Sequence, residues 1–423
     1  MAPTTNDPND TNGIASISND SSTNQSTHTS LPPRPYAPST HAIHADDHLN
    51  RSADVAPALH VSTTFRYASN PSDLIPAKEI SGHLPADAHI YSRYTTPNTT
   101  RLEHMLEPLL RAPCLTYSSG LSALYAAYVF LNPKRVSIGG GYHGSHGVLG
   151  LHTKLTGAKL LPLDCAEEDL GEGDVVHLET PVNPTGEAYN ISDFAEKAHR
   201  RGAYLLVDAT FGPPGLQEPF QWGADIVMHS GTKYLGGHSD MLCGVLASNR
   251  DGWIDKLKYE RNYLGSVMGS LEGWLGVRSL RTLEIRVSRQ SETAEKLVAW
   301  LNGLAKDAEG LGKVVERVWH ASLQKEDFGW LKKQMPYGFG PVFAVTMRSE
   351  ILAKRLPSNL ELFHHATSLG GVESLIEWRA MSDSIVDTRL LRVSVGLENV
   401  EDLKDDLLRG FKALLKEESA ERV

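Results

Sequence analysis

Residues 225–244, "DIVMHSGTKYLGGHSDMLCG", combine a short apolar run with a lysine that is surrounded by hydroxyls and glycines. The apolar run, Ile226–Met228, is bounded by polar residues, which is typical of a buried β-strand. A segment of hydroxyls and glycines follows and carries one lysine, Lys233. A lysine between Thr232 and Tyr234 can be plain solvated surface. In open α/β sheets, however, ligands bind beyond the carboxyl ends of the strands, so Lys233 is a candidate functional residue.

Strand and helix patterns alternate upstream of this stretch. Short β-branched runs predict strands in "RVSIGG", "VVHLET", "AYLLVDAT" and "ADIVMHS". Between them, "GLSALYAAYVFL" and "SDFAEKAHRRGA" have helical spacing. This alternation predicts an α/β fold with a mainly parallel sheet.

The sequence divides into four predicted segments. Residues 1–40 are mostly Ser, Thr, Asn, Asp and Pro, which predicts a disordered tail. Residues 41–103 predict an extended arm broken by Pro, Asn and Gly. Residues 104–285 form the predicted large α/β domain. Residues 286–423, with a long helix, strands in "GPVFAVTM" and "RLLRVSVGL" and a closing helix, predict a smaller α/β domain.

Composition excludes several classes of protein. The formal charge of −10 argues against binding to nucleic acid, which favours a basic face. Three widely spaced cysteines form neither a zinc motif nor a disulfide framework and suit a reducing compartment. No apolar run is long enough to span a membrane. The first 33 residues contain no Lys or Arg, unlike a secretory or transit signal, so we expect a cytoplasmic protein.

Polar residues follow four of the predicted strands and should meet at one edge of the sheet. They are Tyr142, Asn183, Asp208, Ser230, Thr232 and Lys233. Pyridoxal 5′-phosphate (PLP) needs this combination: an amine for its aldehyde, a carboxylate for its ring nitrogen, an aromatic neighbour, and a helix start with hydroxyls for its phosphate. The "SSGLSA" segment at residues 118–123 supplies the predicted helix start.

The chain resembles the Cys/Met-metabolism, or transsulfuration, family of fold-type I PLP-dependent enzymes from about residue 41 to 415. "HSGTKYLGGHSD" is similar to the family's lysine signature. "YSRY" with "TPNTTRLE", "SSGLSA", "ETPVNPTG", "VDATFGPP", "SLGGVESL" and "RVSVGLE" follow the family's motifs in the same order. The family includes cystathionine γ-synthase, cystathionine β- and γ-lyases, methionine γ-lyase and O-acyl-homoserine sulfhydrylases.

The resemblance implies a role for each matching residue at the cofactor. Lys233 would hold PLP and move protons, and Asp208 would pair with the ring nitrogen. Tyr142 would stack on the ring, with its hydroxyl available for proton transfer, and Asn183 would face the ring hydroxyl. The remaining implied phosphate ligands are Gly120, Leu121, Ser230 and Thr232, with Tyr91 and Arg93 of a neighbouring subunit. A homotetramer built from dimers with shared sites is therefore expected.

The resemblance also implies three substrate-binding residues. Arg392 would bind the substrate α-carboxylate as a bidentate fork, and Ser368 would lie beside it. Glu373 would hold a distal ammonium of a substrate such as cystathionine, although it could instead only cap or pair near its loop. Paired histidines such as His143 and His146 lack a carboxylate pattern, so no metal site is expected.

Departures from the family pattern bear on the substrate. Gly231 replaces the alanine of many relatives, Ala209 replaces the usual asparagine, and "GGYHGSHG" replaces a Tyr-Gly-Gly-Thr pattern. The segment "IEWRAMSDSIVDT" is shorter than in typical members and lacks their Met-Thr-His stretch. The expected activity is cleavage or formation of the carbon–sulfur bond of cystathionine or a related amino acid. The alternatives are γ-replacement on an O-acyl-homoserine and a non-catalytic member of the fold, against which the intact Lys233, Asp208 and Arg392 argue.

Overall fold

A seven-stranded sheet organises the first half of the chain. The computed structural model describes residues 36–76, 79, 88–307 and 310–421. The strands of this sheet are β1 (Cys114–Tyr117), β2 (Arg135–Ile138), β3 (Lys159–Pro162), β4 (Val175–Glu179), β5 (Tyr204–Asp208), β6 (Ile226–Ser230) and β7 (Gly244–Ala247). Their order is β1-β7-β6-β5-β4-β2-β3. Strands β6, β5, β4, β2 and β3 pair in parallel, and only β7 runs against its two neighbours. The predicted mainly parallel sheet is confirmed.

Helices connect and cover these strands. Those that precede or accompany the first sheet are α1 (Pro38–His44), α2 (Pro97–Leu110), α3 (Gly120–Leu131), α4 (His143–Thr156), α5 (Ile191–His199), α6 (Trp253–Leu264) and α7 (Ser270–Leu280). The interior strands β4, β5 and β6 are almost entirely buried. Side chains of α3 and α4 pack on one set of their apolar residues, and α5 packs on another. A parallel sheet covered on both faces explains why its strands read as continuous apolar runs.

A five-stranded sheet lies in the second half of the chain. Its strands are β8 (Val315–Trp319), β9 (Val342–Met347), β10 (His364–His365), β11 (Leu375–Trp378) and β12 (Leu390–Ser394), in the order β10-β11-β12-β9-β8. Its helices are α8 (Leu283–Ala305), α9 (Phe328–Gln334), α10 (Glu350–Arg355) and α11 (Val400–Glu421). The predicted smaller α/β region with strands at β9 and β12 is therefore present. Strands β8, β10 and β11 were not anticipated.

Helix α8 links the two halves. Leu283 and Val287, in its first turns, belong to an apolar cluster with α2 and α7. Leu297 and Leu301, near its end, belong to the cluster that includes β9, β12 and α11. The predicted boundary at residue 286 therefore falls inside a continuous helix. The described residues from Ala37 onward cluster as one compact unit.

The segment between α1 and α2 contains little regular structure. Its described part holds two single-turn 3₁₀ helices and one isolated bridge, from Thr64 to Tyr91. Helix α2 begins at Pro97, inside the predicted arm of residues 41–103, because Thr96 and Thr99 form a reciprocal capping box and proline suits the first helical position. Helix α1 similarly begins inside the predicted tail of residues 1–40. Residues 1–35 of that tail lie outside the described residues. None of the described helices is long and apolar enough to cross a membrane.

Candidate active site

A cavity of about 690 Å³ lies at the carboxyl ends of β4, β5 and β6. The sheet topology places it there because parallel strands deliver their following loops to the same edge. Ten of the predicted site residues line it: Gly120, Leu121, Tyr142, Asn183, Asp208, Ser230, Thr232, Lys233, Ser368 and Arg392. Residues separated by more than 270 positions in sequence thus share one enclosed space.

Lys233 follows β6 and projects into the cavity. Its Nζ donates a hydrogen bond to Ser368 Oγ at 2.8 Å. Burial lowers the pKa of Lys233 to about 8, and the neighbouring charge of Arg392 acts in the same direction. An amine with this pKa is partly neutral near physiological pH, and only the neutral form is nucleophilic. The arrangement therefore gives one activated amine.

Two glycines allow the lysine loop to take this position. Gly370 has a φ of +80°, and a Cβ atom there would lie 2.9 Å from the backbone nitrogen of Tyr234. Gly370 thus lets the Ser368 segment approach the lysine. A Cβ atom at Gly231 would lie 2.7 Å from Cys243 Sγ. The absence of a side chain at Gly231 is therefore matched by the buried Cys243 beside it.

Asp208 ends β5 at the base of the cavity. Its Oδ1 accepts hydrogen bonds from the backbone nitrogen and the hydroxyl of Thr210, at 3.0 and 2.6 Å. Burial raises the pKa of Asp208. Glu179 lies opposite Asp208 on the adjacent strand, and burial together with the Asp208 charge raises its pKa to about 8. A cationic group at this position would be strongly stabilised by the two carboxyls.

Glu179 also connects the loops on either side of it. Its Oε2 accepts from the backbone nitrogen of Tyr142 at 2.8 Å, and its Oε1 accepts from that of Asn183 at 2.6 Å. Tyr142 lies at the start of α4, and its ring occupies the space that a Cβ atom at Gly144 would need. One carboxyl group therefore fixes the backbone of the two residues predicted to contact the cofactor ring.

The N-terminus of α3 lies at the cavity. Ser119 and Ser122 cap the helix reciprocally, and Gly120 and Leu121 are its first two residues. Amide groups at these positions have no partner within a helix, so they point at whatever lies beyond it. Ser230 lies beside this end, 3.1 Å from the position of a Cβ atom on Gly120. The hydroxyl of Thr232 lines the same cavity but bonds to the backbone of Cys243.

Arg392 lies on β12 and is 95% buried. Its guanidinium donates to Asn183 Oδ1 at 3.2 Å and to the carbonyl of Ser368 at 2.9 Å. Its Nη2 also pairs with Glu377 Oε2 at 2.6 Å. Burial lowers the pKa of Arg392 to about 10, so it remains charged at neutral pH. Arg392 is thus a preformed carboxylate-binding group that pairs with Glu377 in this structure.

Three predicted site residues do not line this cavity in their own chain. Tyr91 and Arg93 lie on the exposed segment before α2, where the Arg93 guanidinium lies 5.1 Å from the Tyr91 ring centre. Glu373 is half-buried and accepts a hydrogen bond from Ser239. A larger cavity, about 1240 Å³, lies under the same segment, and its described lining includes none of the residues predicted for the cofactor.

Sequence analysis missed several residues of the cavity wall. Glu179, Thr210 and Arg379 line the cavity, and Glu377, which is not among its lining residues, pairs with Arg379 and Arg392. Glu179 ends β4 and Thr210 follows β5, and both strands were correctly predicted. Their position at strand ends was the available signal. Arg379 lies in the segment already noted as unusual, so an arginine there could have been flagged. Within the described residues, no group of three His, Cys, Asp or Glu side chains could hold a metal ion.

The residues present fit pyridoxal 5′-phosphate. The N-terminus of α3, the amine of Lys233 and the carboxylate of Asp208 occupy different walls of one cavity, as the phosphate, aldehyde and ring nitrogen of that cofactor require. The ring of Tyr142 supplies an aromatic face.

Comparisons with known proteins agree with this fit. A family model described as "Cys/Met metabolism PLP-dependent enzyme" matches residues 39–412. The chain is 33% identical to cystathionine γ-lyase of Saccharomyces cerevisiae, over 88% of this chain and 96% of that protein. It is 31% identical to cystathionine β-lyase of Lactococcus lactis, over 75% of this chain and 87% of the other. It is 29% identical to L-methionine γ-lyase of Fusobacterium nucleatum, over 90% of this chain and 99% of that protein.

Solved structures show the same similarity. The crystal structure of yeast cystathionine γ-lyase superposes with a TM-score of 0.78 at 30% identity, covering 90% of this chain and 99% of that one. The crystal structure of metB from Corynebacterium glutamicum gives a TM-score of 0.79 at 27% identity, covering 90% and 100%. The predicted fold type, with its large mainly parallel sheet and smaller C-terminal sheet, is confirmed.

Proposed function

The chain belongs to the Cys/Met metabolism family of PLP-dependent enzymes, and on that premise we propose that it cleaves the carbon–sulfur bond of L-cystathionine. The predicted cofactor and enzyme class are confirmed: it is a PLP-dependent carbon–sulfur lyase of the transsulfuration family. The choice of cystathionine is supported by the cystathionine lyases among its relatives and by a cavity that holds two arginines, as a substrate with two carboxylates would require.

The positions of the side chains around the cavity support the proposed cofactor contacts. Lys233 would hold the aldehyde, Asp208 would pair with the ring nitrogen, and Tyr142 would cover the ring face, while Asn183 would face the ring hydroxyl. The amides of Gly120 and Leu121 would bind the phosphate together with Ser230 and Thr232. When bound, the cofactor supplies an electron sink that acidifies the hydrogen on the substrate α-carbon.

The protein's own residues then orient the substrate and move its protons. Arg392 binds the α-carboxylate, which takes the place of Glu377 at Nη2, and Asn183 holds the guanidinium in position. Lys233 accepts the α-proton at Nζ and returns a proton further along the substrate side chain. Its pKa of about 8 suits both steps, because a general base is most effective when its pKa lies near the working pH.

The observation that carries the proposal is the presence of Lys233, Asp208 and Arg392 in one cavity. The test is to incubate the PLP-loaded protein with L-cystathionine and to measure release of a thiol amino acid, with Lys233→Ala as the negative control. We expect the variant to lose turnover and the visible absorbance of lysine-bound cofactor while it stays folded by circular dichroism. Full turnover by Lys233→Ala would contradict the proposal.

We further propose that the functional unit is a homotetramer built from dimers with shared sites. The support is that Tyr91 and Arg93 lie on an exposed segment outside their own chain's cavity, where a neighbouring subunit could receive them.

The predicted division at residues 104–285 and 286–423 assigns the cofactor to the large domain and the substrate-binding Arg392 to the small one. A cytoplasmic location is proposed on the three free cysteines, two of them buried.

A further inference from the structure

Arg379 is a buried arginine in the wall of the active-site cavity. It lies in the single turn that follows β11, is 98% buried and lines the cavity together with Ser382 and Arg392. Its Nη1 donates to Glu377 Oε2 at 2.9 Å. Glu377 Oε2 also pairs with Arg392, so one carboxylate oxygen serves two guanidinium groups.

The opposite edge of the Arg379 guanidinium has no hydrogen-bond partner. Among the described residues, neither Nε nor Nη2 makes a hydrogen bond. Asp383 Oδ2 lies 3.5 Å from Nη2 and contributes charge there without a hydrogen bond. Nε and Nη2 are the two donors that point in parallel from one side of a guanidinium, and together they match the two oxygens of a carboxylate. A buried donor without a hydrogen bond raises the free energy of the folded protein. This edge of Arg379 is therefore a candidate binding site for a carboxylate.

The loop that follows provides a way for a ligand to reach this edge. Both nitrogens are shielded from water in this structure. Asp383, next to this edge, begins a segment, residues 383–388, that is largely exposed, and Ile385 is 93% exposed. A weakly packed loop can move at small energetic cost. A carboxylate that enters through the cavity would therefore bind Nε and Nη2 of Arg379 in a site shielded from water, where water competes weakly for these donors.

We infer that Arg379 binds a second carboxylate of the substrate, the one at the far end from the α-carboxylate held by Arg392. This inference rests on the proposed function and narrows it to amino acids that carry two carboxylates. L-Cystathionine has a second carboxylate, whereas L-methionine and L-homocysteine have one. Arg379 is thus a specificity-determining residue that separates cystathionine from single-carboxylate sulfur amino acids.

The test compares two substrates across matched variants. Arg379→Gln removes the charge and the paired Nε and Nη2 donors, whereas Arg379→Lys keeps the charge without the paired donors. The control Arg389→Gln removes an arginine outside the cavity that pairs with Asp387 and Glu316. We expect Arg379→Gln to lower kcat/KM for L-cystathionine by about 30- to 100-fold, the scale set by a lost charged hydrogen-bond pair. Activity on L-methionine should change by less than about threefold. Arg379→Lys should recover only part of the loss, and Arg389→Gln should match the wild type.

A binding measurement makes the result independent of turnover. Titration calorimetry of L-cystathionine and L-methionine into Lys233→Ala protein, with and without Arg379→Gln, should show weakened affinity for L-cystathionine alone. Equal losses for both substrates would overturn the inference and assign Arg379 a structural role through Glu377. If the wild type cleaves neither compound, the proposed function itself fails. If it cleaves L-cystathionine with Arg379→Gln unaffected, only the inference fails.

Discussion

Burial and two charged neighbours, Arg392 and Glu377, set the pKa of the Lys233 amine. Burial and Arg392 lower the pKa, whereas Glu377 raises it, and the balance lies near 8. Because Arg392 and Glu377 are themselves paired at 2.6 Å, the substrate-binding guanidinium and the reactive amine share one electrostatic environment. A change at this pair should therefore be detectable at the lysine.

The pH dependence of cofactor capture tests this coupling. Below pH 8 the amine is mostly protonated and cannot attack an aldehyde, so the rate at which apo-protein takes up PLP should rise about tenfold per pH unit and level off above pH 8. Stopped-flow visible absorbance gives the rate. Glu377→Gln should move the midpoint to lower pH, and Arg392→Met should move it to higher pH. The ionisation of free PLP affects the wild type and both variants equally, so it cannot shift one midpoint relative to another. Identical midpoints of PLP uptake in the three proteins would therefore contradict the coupling.

At single residues, the sequence predicted the chemistry better than the electrostatics. Lys233, Asp208 and Arg392 are recognisable because each belongs to a local motif. Glu377 could not be identified in this way, because its role depends on cross-strand pairing with Arg392 between β11 and β12. Neither the pairing nor the register is visible in a local pattern.

At the level of elements, the strands that are buried on both faces could be predicted from the sequence. In the second sheet, only β9 and β12 could be predicted. Strands β5 and β6 contain short apolar runs that end in polar residues, and β4 differs only by one buried histidine, His177. Helix α3 was predicted at its observed bounds. Strand β8 alternates buried and exposed residues irregularly around a register shift, and β10 has two residues. Such short or irregular strands form through tertiary pairing and lack a clear periodic signal.

The turn after β6 offers a packing test. Gly231→Ala would place a methyl group against Cys243 Sγ, and we expect it to destabilise the protein by about 1–3 kcal/mol through overpacking. Adding Cys243→Ala should recover part of that loss, since the sulfur is the nearest atom. Gly303→Ala, at a helix position with open space around it, is the matched control and should not lower the melting temperature. An unchanged melting temperature for Gly231→Ala would show that the turn tolerates alanine.

For the molecule as a whole, the described part of the segment between α1 and α2 differs from the rest of the chain in its exposure. It exposes large apolar side chains, including Val55, Val61 and Tyr67 at 89, 80 and 71%. Exposed apolar groups in one segment are typical of an interaction surface. The sequence predicted an extended arm here from its frequent Pro, Asn and Gly residues. Only the expected role of Tyr91 and Arg93 at a neighbouring subunit came from the family resemblance.

Mixing two inactive variants tests for shared sites. Arg93→Ala should weaken PLP binding, and Lys233→Ala should abolish turnover. Co-refolded or co-expressed hetero-oligomers would contain some sites with both native residues, so activity should return to roughly a quarter of the wild-type value when the two chains mix randomly. Oligomers shown to be mixed by differential tags, yet inactive, would contradict the shared-site arrangement.

Cleavage of L-cystathionine by this PLP-dependent lyase can be measured by analysis of its products. The PLP-loaded protein is incubated with L-cystathionine, and the amino acids and 2-oxo acids formed are quantified. We predict equimolar thiol amino acid, 2-oxo acid and ammonia, with cysteine and 2-oxobutyrate marking γ-elimination and homocysteine and pyruvate marking β-elimination. Unreacted L-cystathionine, with turnover of an O-acyl-homoserine in the presence of a nucleophile, would contradict the proposed function.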